Sequence, residues 1–217
     1  LQCYFGNGYE DLQWKAALRH KIVLLEQALY MDPGLITARF FLGVSLWHMS
    51  LNMEEKEGSV KMKRRSAREL ELFLERGPRG EFRAVAYHDM IICYTYLQEW
   101  PRCVQLVARY MTEAPKKRMS DQLYNYGFIY YGNVLHDDEK TVQWAQFVDK
   151  IYGKEHLKYN VGCPYLSLAE YFLRENKPEK ALAWYERAEK EHGCGLNPRT
   201  GLMKGEQLLE NIYHAMG

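Results

Sequence analysis

The sequence predicts an all-α protein built as an α-solenoid, in which paired helices stack and each pair contacts only its neighbours. Three observations lead there. Apolar residues recur at spacings of three and four along most of the chain, the period of an amphipathic helix, and strict alternation is hard to find. Prolines, glycines and capping residues cut that pattern into roughly nine or ten helices with mostly short connections. The pattern also repeats within the chain, the sequence sign of a stacked array. Strand content near zero is expected.

The elements follow in order. Tyr9 to Met31 reads as one long helix, stopped by Pro33 and Gly34. Ala28 and Pro33 match the end of a second helix that lacks a first, so 9–33 stands as a half repeat. A pair over 35–78 carries Leu42-Gly43 in its first helix and ends at Gly77 and Pro78, with extra residues between Ser50 and Ser66. A pair over 82–115 has Tyr87 and Tyr94 on its first helix. Its second opens at Pro101, carries Cys103, Val107 and Tyr110, and closes at Pro115. In the pair over 120–152, Ser120 caps a helix with Leu123, Tyr126-Gly127 and Tyr130, and Asp137 and Asp138 cap the next, which stops at Gly153. A second insertion separates Gly153 from Cys163. The pair over 164–193 opens at Pro164 with Tyr165, Leu168, Ala169 and Phe172, turns at Arg174 to Lys177, restarts at Pro178 with Ala181, Tyr185 and Ala188, and stops at Gly193. After a Gly/Pro-rich break to Gly201, a helix over 201–216 with Leu208, Leu209, Ile212 and Tyr213 caps the last apolar face. The whole of 1–217 reads as a single repeat domain.

Pro164 to Gly193 resembles a tetratricopeptide repeat, with a large residue, a Leu-small pair and an aromatic on the first helix, then Ala, an aromatic, Ala and a breaker on the second. The same phase recurs less perfectly upstream. Its small positions align at 43, 91, 127 and 169, giving intervals of 48, 36 and 42, against about 34 in that family. The array is therefore irregular, with insertions. The resemblance spans Tyr9 to Met216 and implies a right-handed solenoid whose first helices line a concave face. Pentatricopeptide repeats share the size and the helix pairing, and leave an RNA-binding repeat as the alternative.

The family's groove positions, carried over, fall on Phe40, Val44 and Trp47, then His88, Ile92 and Thr95, then Tyr124, Phe128 and Tyr131, then Leu166, Glu170 and Leu173. Such a groove is aromatic and apolar. It suits an amphipathic helix or extended apolar segment of another protein, as an adaptor or a subunit of a larger complex. The repeats that clamp acidic chaperone tails need Lys, Asn and Arg at these positions; here they hold Phe40, Val44, His88, Ile92, Tyr124 and Phe128, and the clamp is absent.

Composition narrows the function classes. The 217 residues are 47% hydrophobic and 26% charged, so the chain is neither disordered nor a disulfide scaffold. Lys+Arg 29 against Asp+Glu 28 gives a net charge of +1, too little basic excess for a dedicated nucleic-acid binder. No apolar run approaches the roughly 18 residues of a membrane span. Cys3, Cys93, Cys103, Cys163 and Cys194 are odd in number and form no CxxC pair, as in reduced intracellular proteins. Cytoplasm or an organelle matrix, the mitochondrial one included, is the expected setting. The chain opens on Leu1 rather than Met, as a processed or partial chain would, and 1–8 lack a secretory signal's pattern.

Lys61, Arg64, Arg65 and Arg68 share one helical face and offer a contact for phosphate or an acidic partner. Acidic neighbours make a solvated face the simpler meaning, and Lys116, Lys117 and Arg118 read the same way. His192 and Cys194 stand two apart, but no ligand spacing is met and no metal or cofactor is expected. His136, Asp137, Asp138 and Glu139 read as a loop and helix start rather than an acid–base group. Cys93 and Cys103 fall on apolar faces, as core residues do. With none of the common catalytic signatures in its required context, the protein is expected to be non-catalytic.

Overall fold

The computed structural model describes residues 8–78, 80–113, 123–153, 163–193 and 202–217. Among them there is no strand. The order is α1 Gly8–Met31, α2 Ile36–Leu51, α3 Lys56–Arg76, α4 Glu81–Tyr96, α5 Trp100–Glu113, α6 Asn125–Phe128 running into a π-helix Ile129–Val134, α7 Asp138–Tyr152, α8 Pro164–Arg174, α9 Pro178–His192 and α10 Leu202–Met216. Helices adjacent in the chain pack together in pairs. The chain divides into two compact units, Leu1–Leu106 and Val107–Gly217, where the sequence reading takes one domain; the boundary falls inside α5. Ser120, Pro115, Lys116 to Arg118, the second insertion between Gly153 and Cys163, Cys3 and Cys194 lie outside the described residues.

In the first unit α1 packs on α2, α2 on α3 and α3 on α4. Leu42, Leu46, Leu70, Phe73, Tyr87, Met90 and Ile91 are fully buried. From α1, Leu18 and Ile22 join Leu42, Leu46 and Met49, with Leu25, Leu29 and Met62 against them. Trp14, Val23 and Leu24 on α1 stay exposed. Gly43 is small for a reason: a Cβ there would stand 2.6 Å from Leu70 Cγ, and the Ser66 hydroxyl donates to the Gly43 carbonyl at 2.7 Å. The extra residues between Ser50 and Ser66 are mostly helical, since α2 runs to Leu51 and α3 begins at Lys56. They are held by the Ser59 hydroxyl donating to the Ser50 carbonyl at 2.8 Å. Lys63 is buried on the inner side of α3, its Nζ donating to Ser59 Oγ and lying over the Tyr96 ring. Burial pulls its pKa below the usual lysine value.

In the second unit α7 packs on the π-helix and on α8, α8 on α9, and α10 on α9 and α8. Trp144, Val148, Tyr165, Leu168, Tyr171, Phe172, Tyr185 and Ile212 are buried. A Cβ on Gly127 would fall 1.9 Å from the Trp144 indole, and one on Gly132 2.8 Å from the Tyr171 ring. Pro164 and Pro178 open α8 and α9 in their first turns, and Asp137 caps α7 by accepting from the Lys140 N–H at 3.0 Å. Gly153 and Gly193 end α7 and α9 at φ +50° and +63°, a region glycine enters without strain.

One turn recurs. After α4, the N–H groups of Leu97, Gln98 and Glu99 donate to the carbonyls of Cys93, Thr95 and Tyr94; after α8, those of Glu175, Asn176 and Lys177 donate to Tyr171, Leu173 and Phe172. Gln98 and Asn176 occupy the same left-handed position, at φ +57° and +56°. The buried residues match at the same offset: Tyr87, Met90, Tyr94, Cys103 and Val107 against Tyr165, Leu168, Phe172, Ala181 and Tyr185. His136 takes the left-handed position after the π-helix, at φ +50°. That pair holds two more residues between its small position, Gly127, and its left-handed turn residue than lie between Ile91 and Gln98 or between Ala169 and Asn176. The wider π turn, where the Leu135 N–H reaches back to the Tyr130 carbonyl at 3.0 Å, accommodates them.

Candidate functional site

The residues carried over as groove positions separate into two kinds. Phe40, Trp47, Tyr124 and Phe128 are buried. Phe40 packs among Phe41, Phe73 and Phe82 with ring centroids 4.8–5.2 Å away, and Trp47 lies against Tyr96. Tyr124 and Phe128 meet edge-on at 6.3 Å. Large rings at these positions fill the gaps between neighbouring helices, which removes them from the reach of a partner in this conformation. Val44, His88, Ile92, Thr95, Tyr131, Leu166 and Leu173 are half-buried, and Glu170 is exposed. His88 Nδ1 lies 3.0 Å from Asp89 Oδ1.

In the second unit the accessible aromatic surface has a definite form. Tyr130, Tyr131, Trp144 and Phe147 follow one another with centroids 5.1, 6.1 and 5.4 Å apart. Tyr131, Trp144 and Phe147, with Lys140 and Gln143, line a shallow hollow of about 290 Å³. Trp144 is fixed from beneath, its Nε1 donating to the Tyr124 carbonyl at 2.9 Å. Tyr131, Tyr130 and Phe147 stay half-buried. Burial raises the Tyr131 pKa, so the phenol stays neutral and able to donate.

The basic face of the first unit is largely occupied. Arg64 pairs with Glu99 at 2.7 Å, Arg65 pairs with Glu26, and Arg102 reaches Glu99 at 3.3 Å. Lys61 and Arg68 are exposed; Arg68 lines a hollow with Arg64, Glu71, Tyr94, Glu99 and Arg102. Three guanidinium groups there face two carboxylates, which leaves little excess charge for an anion. Cys93 and Cys103 are wholly buried thiols, with pKa values pushed by burial to about 12 and about 11, conditions opposite to those of a reactive cysteine.

Two polar networks join helices of the second unit. Asp138, in the first turn of α7, accepts from Lys177 Nζ and the Tyr171 hydroxyl at 2.8 Å and from Lys180 Nζ at 3.1 Å. Burial opposes its charge, but these three donors outweigh it and hold its pKa at about 2. Sequence alone places Asp138 only as a capping residue. The second network brings Asp149 of α7 together with Glu191 and His192 at the end of α9, one ligand-type atom from each within 4.8 Å of the others. No spacing signals this group, because Asp149 lies on another helix and the neighbours Glu191 and His192 match no ligand motif. His192 Nε2 is 2.9 Å from Asp149 Oδ1, and the Tyr165 hydroxyl donates to Oδ2 at 2.8 Å.

Among the described residues, no helix is long and apolar enough to cross a membrane. A scan against protein-family models finds no match, and searches of curated proteins and of solved structures find none of significance.

Proposed function

We propose that this chain is a non-catalytic, tetratricopeptide-like helical repeat of right-handed sense that binds another protein, as an adaptor or as a subunit of a larger intracellular assembly. The recurring turn after α4 and α8, with matching buried residues at one offset, supports the repeat reading. Gly43, Gly127 and Ala169 support it too, since each small position admits a close neighbour.

The observation that carries the binding function is the aromatic hollow of Tyr131, Trp144 and Phe147 flanked by Lys140 and Gln143. Half-buried aromatic rings at a surface, here Tyr131 and Phe147 over the buried Trp144, with polar groups at their rim, are the usual anchors of a protein interface. An apolar side chain of a partner segment would lie in the hollow against the rings, with Lys140 and Gln143 left to bond its backbone. The predicted contact set is thereby narrowed to Tyr131 and its neighbours, with Leu166, Glu170 and Leu173 the remaining accessible groove positions of this unit.

Affinity purification on wild type and on Tyr131→Asp, followed by reconstitution with the purified proteins retained, tests the proposal. Wild type should retain a defined set that Tyr131→Asp loses at unchanged helicity and melting temperature. An identical set on both proteins overturns it. So does retention of RNA alone that weakens steeply with salt, which supports the pentatricopeptide-like alternative.

A further inference from the structure

We propose that the second unit binds a borderline divalent metal ion of the zinc type through Asp149, Glu191 and His192, fastening the end of α9 to α7. One imidazole nitrogen with two carboxylates is a donor set that suits zinc, whereas calcium and magnesium take oxygen ligands alone. The ligand atoms already converge within 4.8 Å of one another. Three protein ligands leave the fourth tetrahedral position to water.

Two further features point the same way. Asp149 Oδ1 is buried and accepts no hydrogen bond, yet it stands 2.9 Å from His192 Nε2. An imidazolium–carboxylate pair that close would be expected to align its N–H on the oxygen. Here two ligand-type atoms approach out of line, as they do when both face a third atom. The other oxygen, Oδ2, takes the Tyr165 hydroxyl at 2.8 Å. Outer partners of this kind orient a ligating carboxylate.

Charge fits as well. Arg187 Nε holds Glu191 at 2.7 Å, and its guanidinium lies over the rings of Tyr165 and Trp184. The two carboxylates outnumber the one guanidinium, a balance that favours a cation between them. The His192 side chain is only 4% exposed and packs against the Tyr165 ring, tilted, at 5.1 Å, so an ion held there is shielded from water on that side.

The test is a calorimetric titration of zinc chloride into the full chain after chelator treatment. One saturable site is expected, together with a raised melting temperature. Glu191→Gln changes a partly exposed side chain and should weaken binding at least about tenfold, as should Asp149→Asn; Tyr165→Phe should weaken it about tenfold through the carboxylate it orients. Calcium chloride should not compete. Absence of saturable zinc binding overturns the proposal. Binding that survives undiminished in both carboxylate variants also overturns it, since the ion then sits on other ligands.

Discussion

Asp138 shows how one side chain ties three elements together. Its carboxylate receives Lys177 from the α8–α9 turn, Lys180 from α9 and Tyr171 from α8. Replacing it by asparagine leaves two ammonium groups without their counter-charge and one acceptor oxygen in place of two. The side chain is 29% exposed, so solvent screens part of the gain. Asp138→Asn should cost about 1–2 kcal/mol at neutral pH, the usual range for hydrogen bonds to a charged group after that discount. The sign with pH follows from a pKa lowered from 3.8 to about 2 on folding. The unfolded chain takes up the proton first, so the stabilisation is complete above the unfolded value and is lost as pH falls toward the folded one. Urea unfolding at several pH values should therefore show wild type and Asp138→Asn converging between about pH 4 and pH 2. A constant gap over that range would mean that the carboxylate charge contributes nothing.

The turn after α4 and the turn after α8 use one backbone geometry with different residues in its left-handed position, Gln98 at φ +57° and Asn176 at φ +56°. A β-carbon makes this region costly for glutamine, whereas asparagine visits it readily. Gln98 is exposed and no hydrogen bond ties its side chain. Gln98→Gly should therefore stabilise the first unit by about 0.5–1 kcal/mol, while Asn176→Gly should be close to neutral. Thermal unfolding of the two variants checks this, and equal shifts would contradict it. The helices themselves were legible because their ends carry unambiguous residues: Pro164, Pro178, Asp137, Gly153 and Gly193 all stand where the sequence places them. Burial was less legible. Phe40, Trp47, Tyr124 and Phe128 lie on helices that are apolar on more than one side, and a periodicity argument cannot say which side a neighbouring helix will cover. The π-helix over Ile129–Val134, which holds Tyr130 and Tyr131, leaves no mark in composition. Asp149, Glu191 and His192 were invisible because their meeting depends on how α7 and α9 pack.

At the scale of the chain, packing is local. α1 meets α2, α2 meets α3 and α3 meets α4; α7 meets α8, α8 meets α9 and α9 meets α10. Each unit buries its own large residues, Leu70, Phe73, Tyr87 and Met90 in the first and Leu168, Tyr171, Phe172 and Tyr185 in the second. Where helices pack mainly on their chain neighbours, stability is approximately a sum over elements and their nearest interfaces, so damage stays near its origin. Leu70 provides the test, because it is wholly buried and lies against the position where Gly43 permits α2 and α3 to close. Leu70→Ala removes that contact and should cost about 2–5 kcal/mol locally. Native-state hydrogen exchange should then accelerate at the amides of α2, α3 and α4, while those of α8 and α9 keep their wild-type rates. Equal acceleration in α8 and α9 would show a single cooperative core, and the account of two units stabilised by their own neighbours would fail.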